Sequence, residues 1–125
     1  MKKKTLVWLI VGAVILLGVA GYGVYAASQP GKYDAFAQCL SAKKLIFFGA
    51  FWCPHCAEEK ALFRSSVHYL PYTECSTPDG QNQTQVCKDA GITGYPTWQL
   101  PDGTRLNGVQ QLQTLADKSG CPLPK

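Results

Sequence analysis

Cys53-Pro54-His55-Cys56 is the stretch of this 125-residue chain whose residue types and spacing could do chemistry. Two cysteines separated by two residues can close a small disulfide ring and reopen it, the exchange in which a thiolate attacks a disulfide sulfur. Pro54 suits the first turn of a helix. The apolar run Leu45-Ile46-Phe47-Phe48 just upstream reads as a buried strand. Downstream, 57–69 has helical spacing, with Ala57, Ala61, Leu62 and then Val67 on the apolar face. The pair therefore belongs at a strand-to-helix junction, with Cys53 at or near the N-cap. A thiolate there meets unpaired backbone N–H groups and the positive end of the helix dipole. His55, when protonated, adds a second positive charge. These residues predict an accessible, nucleophilic Cys53, with Cys56 poised to resolve a mixed disulfide. Two plainer readings compete: an inert disulfide, or half of a zinc site completed by Cys75 and Cys87. The strand-to-helix placement and the Pro-His dipeptide favour redox work.

The flanking segments supply the elements that would hold this pair. A first helix is expected over 33–42, with Phe36, Ala37 and Leu40 inward, followed by a strand over 45–50 buried on both faces. Residues 70–75 read as a second strand with Pro71 at its start, and 76–82 as a polar loop with Pro78, Asp79 and Gly80 as turn residues. A short helix over 84–90 would end at Gly91. Strands over 97–100 and 104–107 flank the hairpin turn Pro101-Asp102-Gly103. A last helix over 110–118 would carry Leu112, Leu115 and Ala116 inward and stop at Gly120. The order predicts an α/β domain, a strand-helix-strand unit followed by a hairpin and a helix, giving a small mixed sheet covered by helices on both faces.

The chain is organised as an N-terminal segment 1–27, a linker 28–32 and a domain 33–125. The stretch 5–27 is almost wholly apolar and uncharged, and Lys2, Lys3 and Lys4 precede it. It is long enough to cross a hydrocarbon core of ~30 Å as one transmembrane helix. Lysines on its N-terminal side favour that end in the cytoplasm and the domain outside. The competing reading is a cleaved signal peptide, since Val24-Tyr25-Ala26 fits a small-x-small pattern; the length of the apolar run favours a retained anchor. The net charge of +4 overstates the domain, because three of the twelve Lys and Arg lie at 2–4, leaving nine against eight acids. That excludes the basic stripe of a nucleic-acid footprint. Six cysteines suit an oxidising compartment.

With these features in view, the chain over about 33–121 resembles the thioredoxin-fold disulfide oxidoreductases. The match rests on Trp52-Cys53-Pro54-His55-Cys56, on Gly94-Tyr95-Pro96-Thr97 and on Gly108 before the last helix. Residues 49–56, 72–76 and 89–98 are similar to the thioredoxin-like domain associated with bacterial vitamin K epoxide reductase homologues. The resemblance implies a thioredoxin-like fold, catalytic Cys53 and Cys56 with His55 tuning them, and a cis Pro96 packed beside the pair. It also implies that the Tyr95 backbone pairs with an extended substrate, and Trp52 is either core or a substrate-facing platform. It implies a quinone-linked membrane enzyme of the vitamin K epoxide reductase type that reoxidises Cys53/Cys56. In thioredoxins a buried Asp lies beneath the cysteine pair; the matching position here is Phe47. Glu74 could substitute from the neighbouring strand, although a solvated strand-end acid is the plainer expectation.

Cys75 and Cys87 could close a loop of about 13 residues, contributing roughly 3 kcal/mol by loop entropy. The resemblance implies the same pairing, as a structural bond or a relay to Cys53/Cys56. Cys39 and Cys121 would form a third disulfide tying the terminal helices, since two lone thiols in an oxidising space are a liability. The expected activity is therefore a membrane-anchored, extracytoplasmic thiol–disulfide oxidoreductase without a cofactor, oxidising the thiols of substrate proteins. The rivals are a reductase fed with electrons across the membrane and a non-catalytic metal module built on Cys53, Cys56, Cys75 and Cys87.

Overall fold

The computed structural model describes residues 2–125, which form two compact units, 2–30 and Gly31–Lys125. The first is the helix α1 (Lys2–Ala27), long and apolar enough to cross a membrane. At 1.5 Å per residue it is about 39 Å long, and its large apolar side chains, Trp8, Leu16 and Leu17 among them, all face outward. A signal sequence near an N-terminus meets the same description.

The second unit carries α2 (Asp34–Ala42), β1 (Ile46–Gly49), α3 (Pro54–Leu62), a 3₁₀ helix (Arg64–Tyr69), β2 (Tyr72–Glu74), α4 (Gln85–Asp89), β3 (Thr97–Gln99), β4 (Arg105–Asn107) and α5 (Leu112–Ser119). The four strands form one mixed sheet in the order β2-β1-β3-β4. β1 runs parallel to β2, with Gly49 opposite Glu74, and antiparallel to β3, with Phe47 opposite Trp98. β3 and β4 form the hairpin. This is the small mixed α/β sheet expected of the sequence.

β1 lies between two strands and both faces of the sheet are covered there, which is why its side chains are apolar on both sides. Phe47 packs into a cluster with Phe36, Leu40, Phe63, Trp98 and Leu115, while Phe48 faces Cys75, Cys87 and Ile92. The alternation follows from the two-residue period of a strand. Phe47 stacks on Trp98 with centroids 4.9 Å apart. Each such fully buried aromatic contributes about 1.5–3 kcal/mol. At the far end, Gly120 caps α5 in the left-handed conformation, at φ 72°, where a side chain would be strained.

The expected helix over 57–69 differs in both length and face. α3 ends at Leu62, because Arg64 takes a left-handed φ of 52° and the chain continues as a 3₁₀ helix. Ala57 and Ala61 are exposed, and so is Val67; the buried stripe is Cys56, Glu59 and Phe63. Small alanines at helical spacing mimicked an inward face, whereas packing turned the helix so that a carboxylate points inward.

Candidate functional site

The turn between β1 and α3 is tight: the Cys53 N–H donates to the Ala50 carbonyl at 3.0 Å. Cys53 then adopts extended backbone angles, φ −80° and ψ 118°, and is the N-cap of α3, with Pro54 in the first turn. Proline fits there because its missing N–H would have no helical partner. The Cys53 sulfur accepts from the Cys56 N–H at 3.4 Å, so one orphan donor of the helix start points at it. Both Cys53 and Cys56 are free thiols.

Opposite them lies the loop before β3. The Tyr95–Pro96 peptide bond is cis and Pro96 is fully buried. The Tyr95 carbonyl lies 3.9 Å from the Cys53 sulfur, within reach of its thiol proton. Thr97 closes the loop by donating its hydroxyl to the Gly94 carbonyl at 2.8 Å. The Gln83 amide holds Tyr95 from behind, donating to its hydroxyl at 2.9 Å and to the Ile92 carbonyl at 2.8 Å. Trp52 is more than half exposed, stands edge-on to Tyr95 with centroids 6.0 Å apart, and anchors its indole N–H on the Ser76 hydroxyl at 2.9 Å. It is an exposed ring beside Tyr95, not a core residue.

The open Cys53 expected of the sequence needs correction. The residue is only 6 % exposed, because the N-cap turn and the Tyr95 carbonyl close over it, while Phe51, Trp52, Pro54 and His55 around it are exposed. Cys56 is deeper, at 1 % exposed. Burial, and then the hydrogen bond with the Cys53 thiol, push the Cys56 thiol up to about 12, against the lowering effect of the Ala50 backbone and the Lys60 charge. Cys56 is thus held protonated at neutral pH. His55 points to solvent and its Nδ1 lies 3.4 Å from the Glu58 carboxylate. The partner of the imidazole is therefore the Glu58 carboxylate.

Glu74 is not a solvated acid. One carboxylate oxygen accepts from the Phe51 N–H at 3.2 Å and the Ser76 N–H at 2.9 Å, and the other accepts from the Tyr72 hydroxyl at 2.8 Å. Lys60 lies over the Tyr72 ring, 3.6 Å from its centroid. Sequence reasoning missed Glu59 altogether. It has no exposed surface, and it accepts from the Trp98 indole N–H at 3.0 Å and from the Gln110 N–H at 2.6 Å. Burial raises its pKa, and these two donors oppose the shift. Its spacing, three residues after Cys56 and four before Phe63, is the signal that could have found it.

The remaining cysteines form two disulfides. Cys39–Cys121 ties α2 to the segment after α5, and Cys75–Cys87 ties the end of β2 to α4. The four-cysteine metal module accordingly loses two of its thiolates to the Cys75–Cys87 bond. Among the described residues no group of three or more His, Cys, Asp or Glu side chains could hold a metal ion.

No protein-family model matches the chain. It is 39 % identical over 94 residues to a thiol-disulfide oxidoreductase, LTO1, of Arabidopsis thaliana. That match takes in 71 % of this chain, and the chain spans about a quarter (24 %) of the relative's length. Among solved structures it is similar to oxidized glutaredoxin 2 from Chlamydomonas reinhardtii, with a TM-score of 0.41 and 19 % identity, covering 73 % of this chain and 98 % of that one.

Proposed function

We propose that this chain is a membrane-anchored thiol–disulfide oxidoreductase whose reacting pair is Cys53 and Cys56. One observation carries the reading: two free thiols share the start of α3, and a backbone N–H points at the outer sulfur beside the Tyr95–Pro96 loop. The similarity to a relative described as a thiol-disulfide oxidoreductase supports it.

In the oxidising direction a substrate thiolate attacks the Cys53 sulfur of the Cys53–Cys56 disulfide, and Cys56 leaves with the electron pair. The substrate's second thiolate then attacks the mixed disulfide at its own sulfur. The substrate departs oxidised, and Cys53/Cys56 is left as a dithiol. An N–H aimed at Cys53 stabilises the thiolate, which exists only in the reduced form, and so favours oxidation of the substrate over its reduction. Trp52 and Tyr95 would flank the bound substrate, with Pro96 beneath. No hydrogen-bond partner of the Tyr95 N–H is found among the described residues, which leaves it able to pair with an extended peptide. Protein thiols are the substrates. The regenerating partner is a vitamin K epoxide reductase-like, quinone-linked membrane enzyme, and α1 anchors the domain on the extracytoplasmic side with its lysines in the cytoplasm.

Equilibration of the detergent-solubilised chain with glutathione buffers, followed by alkylation and mass analysis of the Cys53/Cys56 peptide, tests this. The expected reduction potential lies well above the roughly −270 mV of thioredoxin. A value at or below that figure reverses the direction to a reductase. Failure of the pair to form a disulfide in any buffer removes the activity.

A further inference from the structure

The reading of Cys53/Cys56 as an exchanging pair leaves a proton unaccounted for. Cys56, almost wholly buried and held as a thiol, must lose its proton whenever it attacks a mixed disulfide on Cys53, and must regain one whenever it leaves. The side chains around it decide where that proton goes. On its own helix these are Cys53, Lys60 and Glu59. Glu59 is sealed from solvent and committed to Trp98 and Gln110, so it offers no exit.

On the neighbouring strand β2 the arrangement is different. Gly49 ends β1 between Cys56 and Tyr72, and its lack of a side chain leaves the space between them open. A Cβ built there would lie 3.1 Å from the Cys56 sulfur, 3.3 Å from the Tyr72 hydroxyl oxygen and 2.8 Å from the Tyr72 ring. Sulfur and hydroxyl thus converge on one point above the Gly49 Cα. The same hydroxyl donates to Glu74 at 2.8 Å, and Glu74 is only half-buried, beside the exposed Phe51. Lys60 over the Tyr72 ring places a positive charge beside this line of groups. Burial first, then Glu74, then the charges of Cys56 and Cys53 raise the Tyr72 pKa, which keeps the phenol protonated.

We infer that Tyr72 and Glu74 form the proton relay of Cys56, opened by the missing side chain at Gly49. As Cys56 attacks, its S–H proton passes to the Tyr72 oxygen while the Tyr72 proton passes to the Glu74 carboxylate. The Cys56 sulfur bonds to the Cys53 sulfur, the mixed disulfide breaks, and the departing group leaves as a thiolate. Glu74, now a carboxylic acid, returns its proton to solvent. In the opposite direction Glu74 supplies a proton through Tyr72 to the leaving Cys56 sulfur. Tyr72 is the conduit, Glu74 the acceptor, and Lys60 a positioning residue.

The test follows the reduced full-length chain as it reacts with oxidised glutathione. The first, bimolecular phase forms the Cys53–glutathione disulfide; the second, unimolecular phase is resolution by Cys56. Tyr72→Phe and Glu74→Gln should each slow the second phase by roughly tenfold or more around neutral pH, the low end of acid–base effects or below it. Neither should change the first phase. The double variant should be no slower than the slower single variant, as for groups acting as one unit. A second phase unchanged in Tyr72→Phe overturns the relay, as do single effects that multiply in the double variant. Because the Gln amide oxygen still accepts from Phe51 and Ser76, and Phe preserves the ring, matching unfolding curves separate relay loss from misfolding. If Glu74→Gln does not fold, Tyr72→Phe alone decides. Absence of the first phase in the unsubstituted chain refutes the redox pair itself, an outcome distinct from failure of the relay.

Discussion

Glu59 offers the sharpest check on how this domain is held together beneath its reactive pair. Replacing it with Ala leaves two buried donors without acceptors, the Trp98 indole N–H and the Gln110 N–H. Each orphaned donor costs about 1–3 kcal/mol, and removal of the side chain adds a cavity term. The expected destabilisation is about 3–5 kcal/mol, a large share of the ~5–15 kcal/mol available to a domain. The pH dependence has a definite sign. Burial raises the folded-state pKa of Glu59 above its unfolded value of about 4.3. The fold therefore binds this proton more tightly than the unfolded chain does. The associated stability is fully present below the unfolded value and is lost as pH rises through the folded value. Glu59→Gln removes that dependence while keeping the shape. The stability of the native chain relative to Glu59→Gln should thus be highest near pH 4, fall on the way to neutrality, and then level off. Urea unfolding of both chains across that range, with the disulfides intact, measures the difference. A difference independent of pH, or one that grows towards neutrality, would show that the two hydrogen bonds outweigh burial and would refute the reasoning.

His55→Ala should lower the Cys53/Cys56 potential by less than about 30 mV, a tenfold change in the exchange constant, because the exposed imidazole faces Glu58 at 3.4 Å. A larger fall in a glutathione titration would mean that the ring acts on Cys53 at closer range. Replacing both Cys75 and Cys87 by Ala, which opens a loop closed over a separation of 12 residues, should cost roughly 3 kcal/mol in urea unfolding. The replacement should leave the first phase of the glutathione reaction unchanged; loss of that phase would make this disulfide part of the exchange rather than a clamp.

Much of the scaffold was legible from local pattern. A continuous apolar run, a proline one residue inside a helix start and a glycine one residue past a helix end are short-range signals, and β1, α3 and α5 begin or end where they point. The spacing of Cys53 and Cys56 with Pro54 between them likewise carries the N-cap geometry, because capping involves only the residues of one turn. The order of the elements was enough for the mixed sheet, since a strand-helix-strand unit followed by a hairpin leaves few ways to pair four strands.

What the chain's order could not convey was decided by contacts between distant residues. The spacing of Ala57 and Ala61 described an apolar face that packing did not use, although Leu62 does lean on the core. α3 turned instead to bring Glu59 against donors 39 and 51 residues away. Cys53 looked open because its neighbours are polar or exposed, yet a carbonyl 42 residues further on closes over it. Glu74 read as a strand-end acid until β2 paired in parallel with β1 and set it opposite Gly49. A sequence of this length determines by itself which residues can do chemistry and which turns will present them. Burial, and with it the protonation of each acid and thiol, is a property of the assembled neighbours, because the dielectric and the hydrogen-bond partners that set it come from other segments.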